Sequence, residues 1–462
     1  MKRTLNKQTV EKAGEKVTIS GWIDSVRSHG KITFLDVRDR SGVMQVVVNP
    51  EEIEVVEDLR GEWVVEIAGQ LKERPDSMVN DDIVTGNVEL KAEKIKVLNK
   101  SKTPPFQIDE DGKDVSEAIR MKYRYLDLRR KRMQENLRMR HKVSHFLRNF
   151  LTDKDFIEVE TPILTKSTPE GARDFLVPSR NQPGSFYALP QSPQQYKQLL
   201  MVGGVENYFQ FARCFRDEDV RADRQAEFTQ LDMEMSFTEK EDLLELVEEM
   251  FIKVVEELFP NKNIKEKPFP RISYKKAMSK WDCDRPDLRD DKDDEDELAF
   301  AFVVDFPMFE KFEGGYRAEH HPFTKPDASP EEVKSNPEKV KSFQYDLVLN
   351  GQEIGGGSIR THDPKMLEAI FEVLGHSKEE IRSKFGHLLD AFEYGAPPHG
   401  GIAFGFERFL MIMLDEENIR EVMAFPKTGD GRGLMMNAPS EDISEKQLQE
   451  LHISLLDELD ED

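Results

Sequence analysis

The sequence predicts an α+β chain, with a small five-stranded β-barrel first and a larger unit of helices and strands after it. Three observations predict it. Five short β-type runs separated by turns fall within residues 17–98. A proline break at Thr103-Pro104-Pro105 ends that stretch, and beyond it apolar residues recur at helical spacing between β-rich and glycine-rich runs. At 462 residues the chain is long enough for about three domains of roughly 150 residues each.

The β-type runs cover 17–23, 33–37, 43–48, 63–67 and 88–97, with the turn Arg40-Ser41-Gly42 before the third. Five short strands in so little chain suit a barrel of the OB type, a platform that many proteins use for oligonucleotides. A small barrel without a ligand fits the same strands. The expected organisation is therefore a barrel over 1–103, a basic hinge over 104–135 and a larger domain over 136–462. In the larger domain, Leu137, Val143, Phe146, Leu147, Phe150 and Leu151 have core spacing on a helix, and a strand over 156–160 ends at Thr161-Pro162. A second helix carries Leu243, Leu246, Val247, Met250, Val254 and Leu258 on one face, with Thr238 and Glu241 as its expected capping box.

Composition excludes several classes. Hydrophobic residues make up 38% of the chain, too many for general disorder. No apolar run is long enough to span a membrane, and the N-terminus lacks the apolar core of a signal peptide, so a cytoplasmic protein without membrane contact is expected. Cys214 and Cys283 are too few for a disulfide framework or a four-cysteine zinc site. His320-His321 has no evident third ligand and reads as a surface or loop pair.

The formal net charge is −24, which by itself argues against a polyanionic partner. Locally the sign reverses. Residues 120–142 hold ten Lys or Arg against Asp127 and Glu135, with Tyr123 and Tyr125 interleaved, a pattern that suits contact with nucleic acid as well as a solvated helix face. Residues 284–297 hold nine acidic and three basic residues and read as a solvated, flexible connection.

Three clusters carry candidate chemistry. Residues 213–237 alternate Arg213, Arg216, Arg221 and Arg224 with Asp217, Glu218, Asp219, Glu227, Asp232 and Glu234 around Phe215 and Phe228. Arginines clamp phosphates through paired hydrogen bonds, and carboxylates hold a divalent cation or an amine; a salt-bridged hairpin has the same composition. The run from Gln352 to Arg360 places three glycines between an acid and a base, and Asp346 can face Glu353 across a hairpin turning at Asn350-Gly351 to hold Mg²⁺. The run from His399 to Phe409 reads as a glycine-rich strand entering a helix near Phe406, with Arg408 in the first turn, where backbone amides favour phosphate. There is no phosphate-binding G-x-x-x-x-G-K-[ST] loop, so a bound nucleotide would be held by arginines.

Taken in order, the helix and strand ending at Pro162 (motif 1), FRDED through FTQLDME (motif 2) and GIAFGFERF (motif 3) resemble the three signature motifs of the class II aminoacyl-tRNA synthetases. Within that class, YRYLDLR (123–129), TPEGARDFLVP (168–178), LPQSPQQYKQLLM (189–201), HHPFT (320–324) and EIGGGSIR (353–360) are similar to the bacterial aspartyl type. The resemblance implies an antiparallel catalytic sheet flanked by helices. It also implies ATP and Mg²⁺ as cofactors, and L-aspartate and tRNA-Asp as partners of a homodimer with motif 1 at its interface. Arg216, Glu353 and Arg408 would be catalytic. Glu170, Ser192, Gln194, Lys197, Arg216, Asp232, His320 and Arg360 would bind aspartate, with Arg360 and Lys197 on its side-chain carboxylate. ATP would meet Arg216, Asp217, Glu218, Gln225, Phe228, Glu353, Gly405, Phe406, Glu407 and Arg408, and the metal would meet Asp346 and Glu353. In the barrel, Arg27, His29, Phe34, Gln45, Arg74 and Glu89 would read the anticodon.

The sequence departs from that pattern in three places. The domain-sized insertion usual in the bacterial type looks deleted, leaving the acidic tract near 284–299. Phe406-Glu407 stands where Leu-Asp is commoner. Ser28-His29-Gly30-Lys31 replaces a loop usually ending in two glycines, and a His there is similar to members that charge tRNA-Asn as well. Two rivals differ in class: an aspartate-activating enzyme of asparagine-synthetase type that uses no tRNA, and a nucleic-acid-binding module without catalysis. The barrel weighs against the first, and the joint presence of Arg216, Glu353, Arg360 and Arg408 against the second.

Overall fold

The computed structural model describes residues 2–51, 53, 58–167 and 171–455. The chain divides into two compact units, Met1–Lys131 and Arg132–Asp462. Among the described residues no helix is long and apolar enough to cross a membrane.

The first unit is a closed barrel of β1 (Lys16–His29), β2 (Ile32–Asp39), β3 (Gly42–Val48), β4 (Val64–Glu73) and β5 (Val88–Asn99), in the order β1-β2-β3-β5-β4. All five expected strands form. Period-two alternation turns Ile19, Leu35, Val37, Val46, Ile67 and Leu90 into the barrel, where each is fully buried. It leaves Phe34, Asp36 and Gln45 on the outer face.

The basic run after the barrel is a correction to the sequence reading. Asp127 is fully buried, and it accepts from Arg124 Nη1 at 2.6 Å and Arg130 Nε at 2.9 Å, with Arg120 Nη1 at 3.5 Å. Arg129 pairs with Glu62 at 2.7 Å. In the second unit, Arg132 bridges Glu416 and Glu421, and Arg140 pairs with Glu407 at 2.7 Å. Six of the ten cations thus neutralise the protein's own carboxylates, because a buried guanidinium needs an acceptor. Lys122, Lys131, Arg138 and Lys142 remain exposed.

The second unit is built on an eight-stranded sheet. Its strands are β6 (Ile157–Glu158), β7 (Asn207–Phe215), β8 (Glu227–Ser236), β9 (Arg271–Ser273), β10 (Phe300–Val304), β11 (Gln344–Leu349), β12 (Gln352–Ile359) and β13 (His399–Gly405). The order is β9-β10-β11-β12-β13-β8-β7-β6. The six central strands are antiparallel, as expected, whereas edge strands β9 and β6 pair parallel to β10 and β7, so the sheet is mixed.

Helix α1 (Lys131–Thr152) buries Val143, Leu147, Phe150 and Leu151, and α3 (Lys240–Leu258), which follows α2 (Gln194–Val202), buries Leu243, Val247, Met250 and Val254. The start of α3 lies one residue later than expected. Glu239 keeps extended dihedrals and forms the capping box with Asp242, in place of Thr238 and Glu241. On the sheet, Phe251 of α3 packs within 5.0 Å of both Phe404 and Phe409, centroid to centroid.

Glycines set the closeness of the central strands. A Cβ at Gly401 of β13 would sit 2.1 Å from the Met233 carbonyl and 2.1 Å from a Glu234 carboxylate oxygen on β8. Only glycine allows that approach. The acidic tract is also tied down rather than a loose linker: Lys265 pairs with Asp290 at 2.5 Å and Glu297 at 3.2 Å, and Lys262 with Asp296 at 3.3 Å.

The Asp127 cluster yields a test. Asp127→Ala leaves three buried arginines without their shared acceptor and should destabilise the first unit by roughly 3–5 kcal/mol in urea unfolding. A loss below about 1 kcal/mol would contradict that assignment.

Candidate active site

A cavity of about 390 Å³ in the second unit gathers residues from all three clusters, 213–237, 352–360 and 399–409. From β7, β8 and the segment joining them come Arg216, Glu218, Gln225, Phe228 and Asp232. Glu353, the glycines 355–357 and Arg360 come from β12 and its end, while Gly405, Glu407 and Arg408 come from the end of β13 and the start of α6 (Phe406–Met413), with α4 (Pro364–Val373) and α5 (Lys378–Phe392) intervening in the chain. Ser192, Gln194 and Lys197 of the α2 region and His320 also line it.

One end of the cavity is a buried quartet of charges. Lys197 Nζ lies 2.9 Å from Asp232 and 3.1 Å from Glu234, while Arg360 pairs with both oxygens of Glu234 through Nε at 2.9 Å and Nη2 at 3.1 Å. All four side chains are at most 4% exposed. Burial opposes the charge of Glu234, yet Arg360 and Lys197 outweigh it and hold the carboxyl down at about 2. Asp232 has the weaker partners, so burial wins and lifts it to about 6.

The quartet is formally neutral, but it leaves hydrogen-bonding capacity facing the cavity. Arg360 spends Nε and Nη2 on Glu234 and Nη1 on Ser358 Oγ at 2.8 Å, so two of its five N–H groups remain. Lys197 has a third N–H left, and Asp232 Oδ1 is buried with no partner. An acidic side chain and an ammonium group match those vacancies.

Glu234 stands in the sequence only as one acid of the 213–237 cluster, without a site role of its own. Its signal is the period-two pair Asp232 and Glu234 within an otherwise apolar stretch of β8. His321 lies in a loop, as expected, but with a role beyond the surface. It lines the cavity, its Nε2 is buried without a partner, and burial together with Arg360, Lys197 and Arg216 keeps it neutral, well below the usual histidine range.

At the other end, Arg216 lies 5.2 Å over the Phe228 ring with its Nε buried and unpartnered. Gln225 donates nothing from its buried Nε2, while its Oε1 accepts from Lys427 N at 3.0 Å. Arg408 donates to the Glu353 carbonyl and to Asp223 at 3.0 Å. Three expected ATP contacts are different in kind. Asp217 is exposed and outside the cavity lining, held by its backbone N–H on the Arg173 carbonyl at 3.0 Å. Phe406 is a core residue, 3% exposed, packed edge-on against Phe211. Glu407 lines the cavity, but both its oxygens are engaged, by Thr229 N at 2.9 Å and by Arg140 at 2.7 Å. Glu170 lies outside the described residues.

Asp346 and Glu353 are not directly opposite across the hairpin, because a register shift between Leu347 and Val348 pairs Asp346 with Gly356. Their carboxylates converge all the same. A Cβ on Gly356 would stand 3.0 Å from Asp346 Oδ1 and 3.5 Å from Glu353 Oε1. Burial, then the charge of Glu353, pushes Asp346 well above the usual carboxylate range. Two crowded oxygen ligands fit a hard divalent cation that takes its remaining ligands from water and phosphate. No cluster of three His, Cys, Asp or Glu ligands exists among the described residues, so a zinc-type cage does not form.

Comparisons with known proteins agree with this geometry. Residues 116–429 match the family model "tRNA synthetases class II (D, K and N)", and residues 17–98 match "OB-fold nucleic acid binding domain". The chain belongs to the class II tRNA synthetases. A synthetase from Natranaerobius thermophilus named aspartate–tRNA(Asp/Asn) ligase is 43% identical, over 98% of this chain and 99% of that protein. The aspartate–tRNA ligase of Staphylococcus aureus is 39% identical over 96% and 97%. Among solved structures, asparaginyl-tRNA synthetase from Pyrococcus horikoshii complexed with asparaginyl-adenylate aligns with a TM-score of 0.73 at 25% identity, covering 90% of this chain and 96% of that one. The Natranaerobius alignment spans 585 positions against 462 residues here, so at least 123 of its positions have no counterpart in this synthetase.

In the barrel of this synthetase, Arg27, Phe34, Gln45 and Glu89 share the outer face, whereas Arg74 is buried. Arg27 registers with Phe34, and Asp36 with Gln45. Gln45 Nε2 donates to Glu89 at 3.2 Å, Arg27 pairs with Asp36 at 2.8 Å, and Arg74 donates to the Val88 carbonyl at 3.1 Å. His29 stands exposed at the end of β1.

Lys197→Met tests the quartet. It leaves two buried carboxylates on one cation, so stability should fall by roughly 3–5 kcal/mol at pH 7.5 and by less at pH 5.5, where Asp232 takes up a proton. Urea unfolding at the two pH values measures the difference, and an equal loss at both would contradict the assigned role of Asp232.

Proposed function

We propose that the synthetase is a cytoplasmic aspartate–tRNA ligase that activates L-aspartate with ATP and transfers it to the 3′ end of tRNA-Asp. The buried quartet carries the reading. Its three remaining N–H donors, two on Arg360 and one on Lys197, suit a side-chain carboxylate, and Asp232 Oδ1 suits the α-ammonium. Asparagine would set its amide NH₂ against those donors and leave at least one unpaired. A site of this type rejects such an analogue by ~10⁴ or more.

In the first step an α-carboxylate oxygen of aspartate attacks the α-phosphorus of ATP, the bond to the bridging oxygen breaks, and pyrophosphate leaves. Arg216, with its buried Nε free, sits where it can hold both the carboxylate and the α-phosphate and stabilise the charge between them. Phe228 offers a face for adenine, with Gln225 Nε2 as a free donor beside it. Arg408 can exchange Asp223 for phosphate oxygens. Asp346 and Glu353 would hold Mg²⁺, which when bound would neutralise phosphate charge. In the second step the terminal ribose hydroxyl of tRNA attacks the carbonyl and AMP leaves, so positioning does most of the work.

On the barrel, Phe34 supplies a stacking face worth ~1–3 kcal/mol for any base, and Gln45 and Glu89 supply the polar edge that chooses among bases. The tRNA(Asp/Asn) name of the Natranaerobius relative and the exposed His29 favour tRNA-Asn as a second acceptor. A homodimer belongs to the same reading, supported by Ile157 at edge strand β6 and by Ile163 and Leu164 after it, which are 48–55% exposed. The residues that the longer relatives carry in excess are proposed to insert at 284–299.

Aspartate-dependent exchange between ATP and pyrophosphate tests the first step. Exchange with aspartate and none with asparagine is expected, and no exchange with aspartate sinks the reading. Charging of tRNA-Asp and tRNA-Asn transcripts side by side then decides the acceptor range. The pH dependence follows from Asp232: its protonation below about pH 6 removes the charge facing the ammonium. The KM for aspartate should therefore rise as pH falls through about 6. In Asp232→Asn it should be high at every pH and flat across that range.

A further inference from the structure

We infer that Arg285, at the start of the acidic tract, is a further binding residue of the cavity and grips the pyrophosphate end of ATP. The inference rests on reading the cavity as an ATP site. Arg285 lines the same cavity as Arg216, Glu353 and Arg408, although it lies outside all the motif segments. Its side chain is exposed, and among the described residues no ion pair or hydrogen bond engages its guanidinium. Apart from Arg216, the other cavity arginines already have carboxylate partners: Arg360 on Glu234, Arg408 on Asp223 at 3.0 Å, and Arg224 near Glu218 at 3.6 Å.

The segment that presents Arg285 is anchored. Pro286 is buried, Asp287 accepts from Arg289 Nη2 at 2.9 Å, and the Leu288 carbonyl accepts from Lys265 Nζ at 2.7 Å. Asp287 rests on the turn between β11 and β12, where a Cβ on Gly351 would stand 3.1 Å from its own Cβ. That turn joins the strands carrying Asp346 and Glu353. The charge of neighbouring Asp284 is felt at Asp346, Glu319 and His320, so the segment lies at the carboxylate end of the cavity.

The Arg285 guanidinium stays uncommitted in a cavity that Glu218, Asp219 and Glu353 also line. Its planar fork suits two oxygens of one phosphate. The β- and γ-phosphates are the anions that the proposed reaction brings to the Asp346 and Glu353 end. As pyrophosphate departs, Arg285 would hold charge that grows on it.

Arg285→Ala, Arg285→Lys and the unaltered chain, each full length, provide the test. Exchange kinetics give KM for pyrophosphate, ATP and aspartate, and calorimetry gives ATP binding in the absence of aspartate. Arg285→Ala should raise KM for pyrophosphate about tenfold, equivalent to about 1.4 kcal/mol, and weaken ATP binding several-fold, with KM for aspartate unchanged. Arg285→Lys should recover part of the loss. Unchanged pyrophosphate and ATP constants overturn the inference, as does an equal rise in all three KM values accompanied by a lower unfolding temperature, which marks a structural residue. If the unaltered chain shows no aspartate-dependent exchange, it is the ATP-site reading that fails, before Arg285 is tested.

Discussion

The catalytic unit depends on one arrangement: Lys197 and Arg360 held against Asp232 and Glu234 out of contact with water. Each member alone would be costly in that position, since a buried charge without a partner costs several kcal/mol. Together they are neutral, and the interior tolerates them. The arrangement constrains its surroundings in turn. Strand β13 can run beside β8 only because residue 401 has no side chain to collide with Glu234. Strand β8, the end of β12 and helix α2 each deliver part of the quartet, so the central sheet has to close before the recognition end of the cavity exists.

The two carboxylates of the quartet also divide the work. Glu234 is saturated by cations and stays ionised far below neutral pH, which makes it a fixed scaffold. Asp232 keeps one oxygen free and titrates near 6, which makes it the member that can respond to a ligand. The same contrast recurs among the arginines. Those of the basic run are mostly committed to internal carboxylates, while Arg216 keeps a buried Nε free in the cavity. Positive charge in this chain is therefore chiefly structural where the sequence concentrates it, and available where the sequence scatters it.

Much of the fold was legible from local pattern. The barrel strands appear where period-two alternation placed them, and the apolar faces of α1 and α3 are the faces that pack. The cavity assembled most of the motif residues because the motif spacing follows the strand and turn lengths of the sheet. Asp217 and Phe406 failed for a reason of geometry: at a strand end or a helix start, a neighbour one position along points the other way. The roles of Glu234 and His321 are not legible locally because they are defined by partners more than a hundred residues distant, or on another element, and no local spacing encodes that. The mixed sheet escaped likewise, since the short parallel edges β6 and β9 carry two or three residues each.

The sequence by itself determined the barrel, the helices that cover the sheet, the absence of a loop-type phosphate site and the family resemblance, all of which rest on residues close together in the chain. Only the tertiary structure decided which charges are free. Whether an arginine binds a ligand or stabilises the fold depends on the carboxylate nearest to it in space, and burial multiplies the strength of that pairing. For Arg130, Arg216, Arg285 and Arg360, four arginines of one chain, the outcome differs for that reason alone.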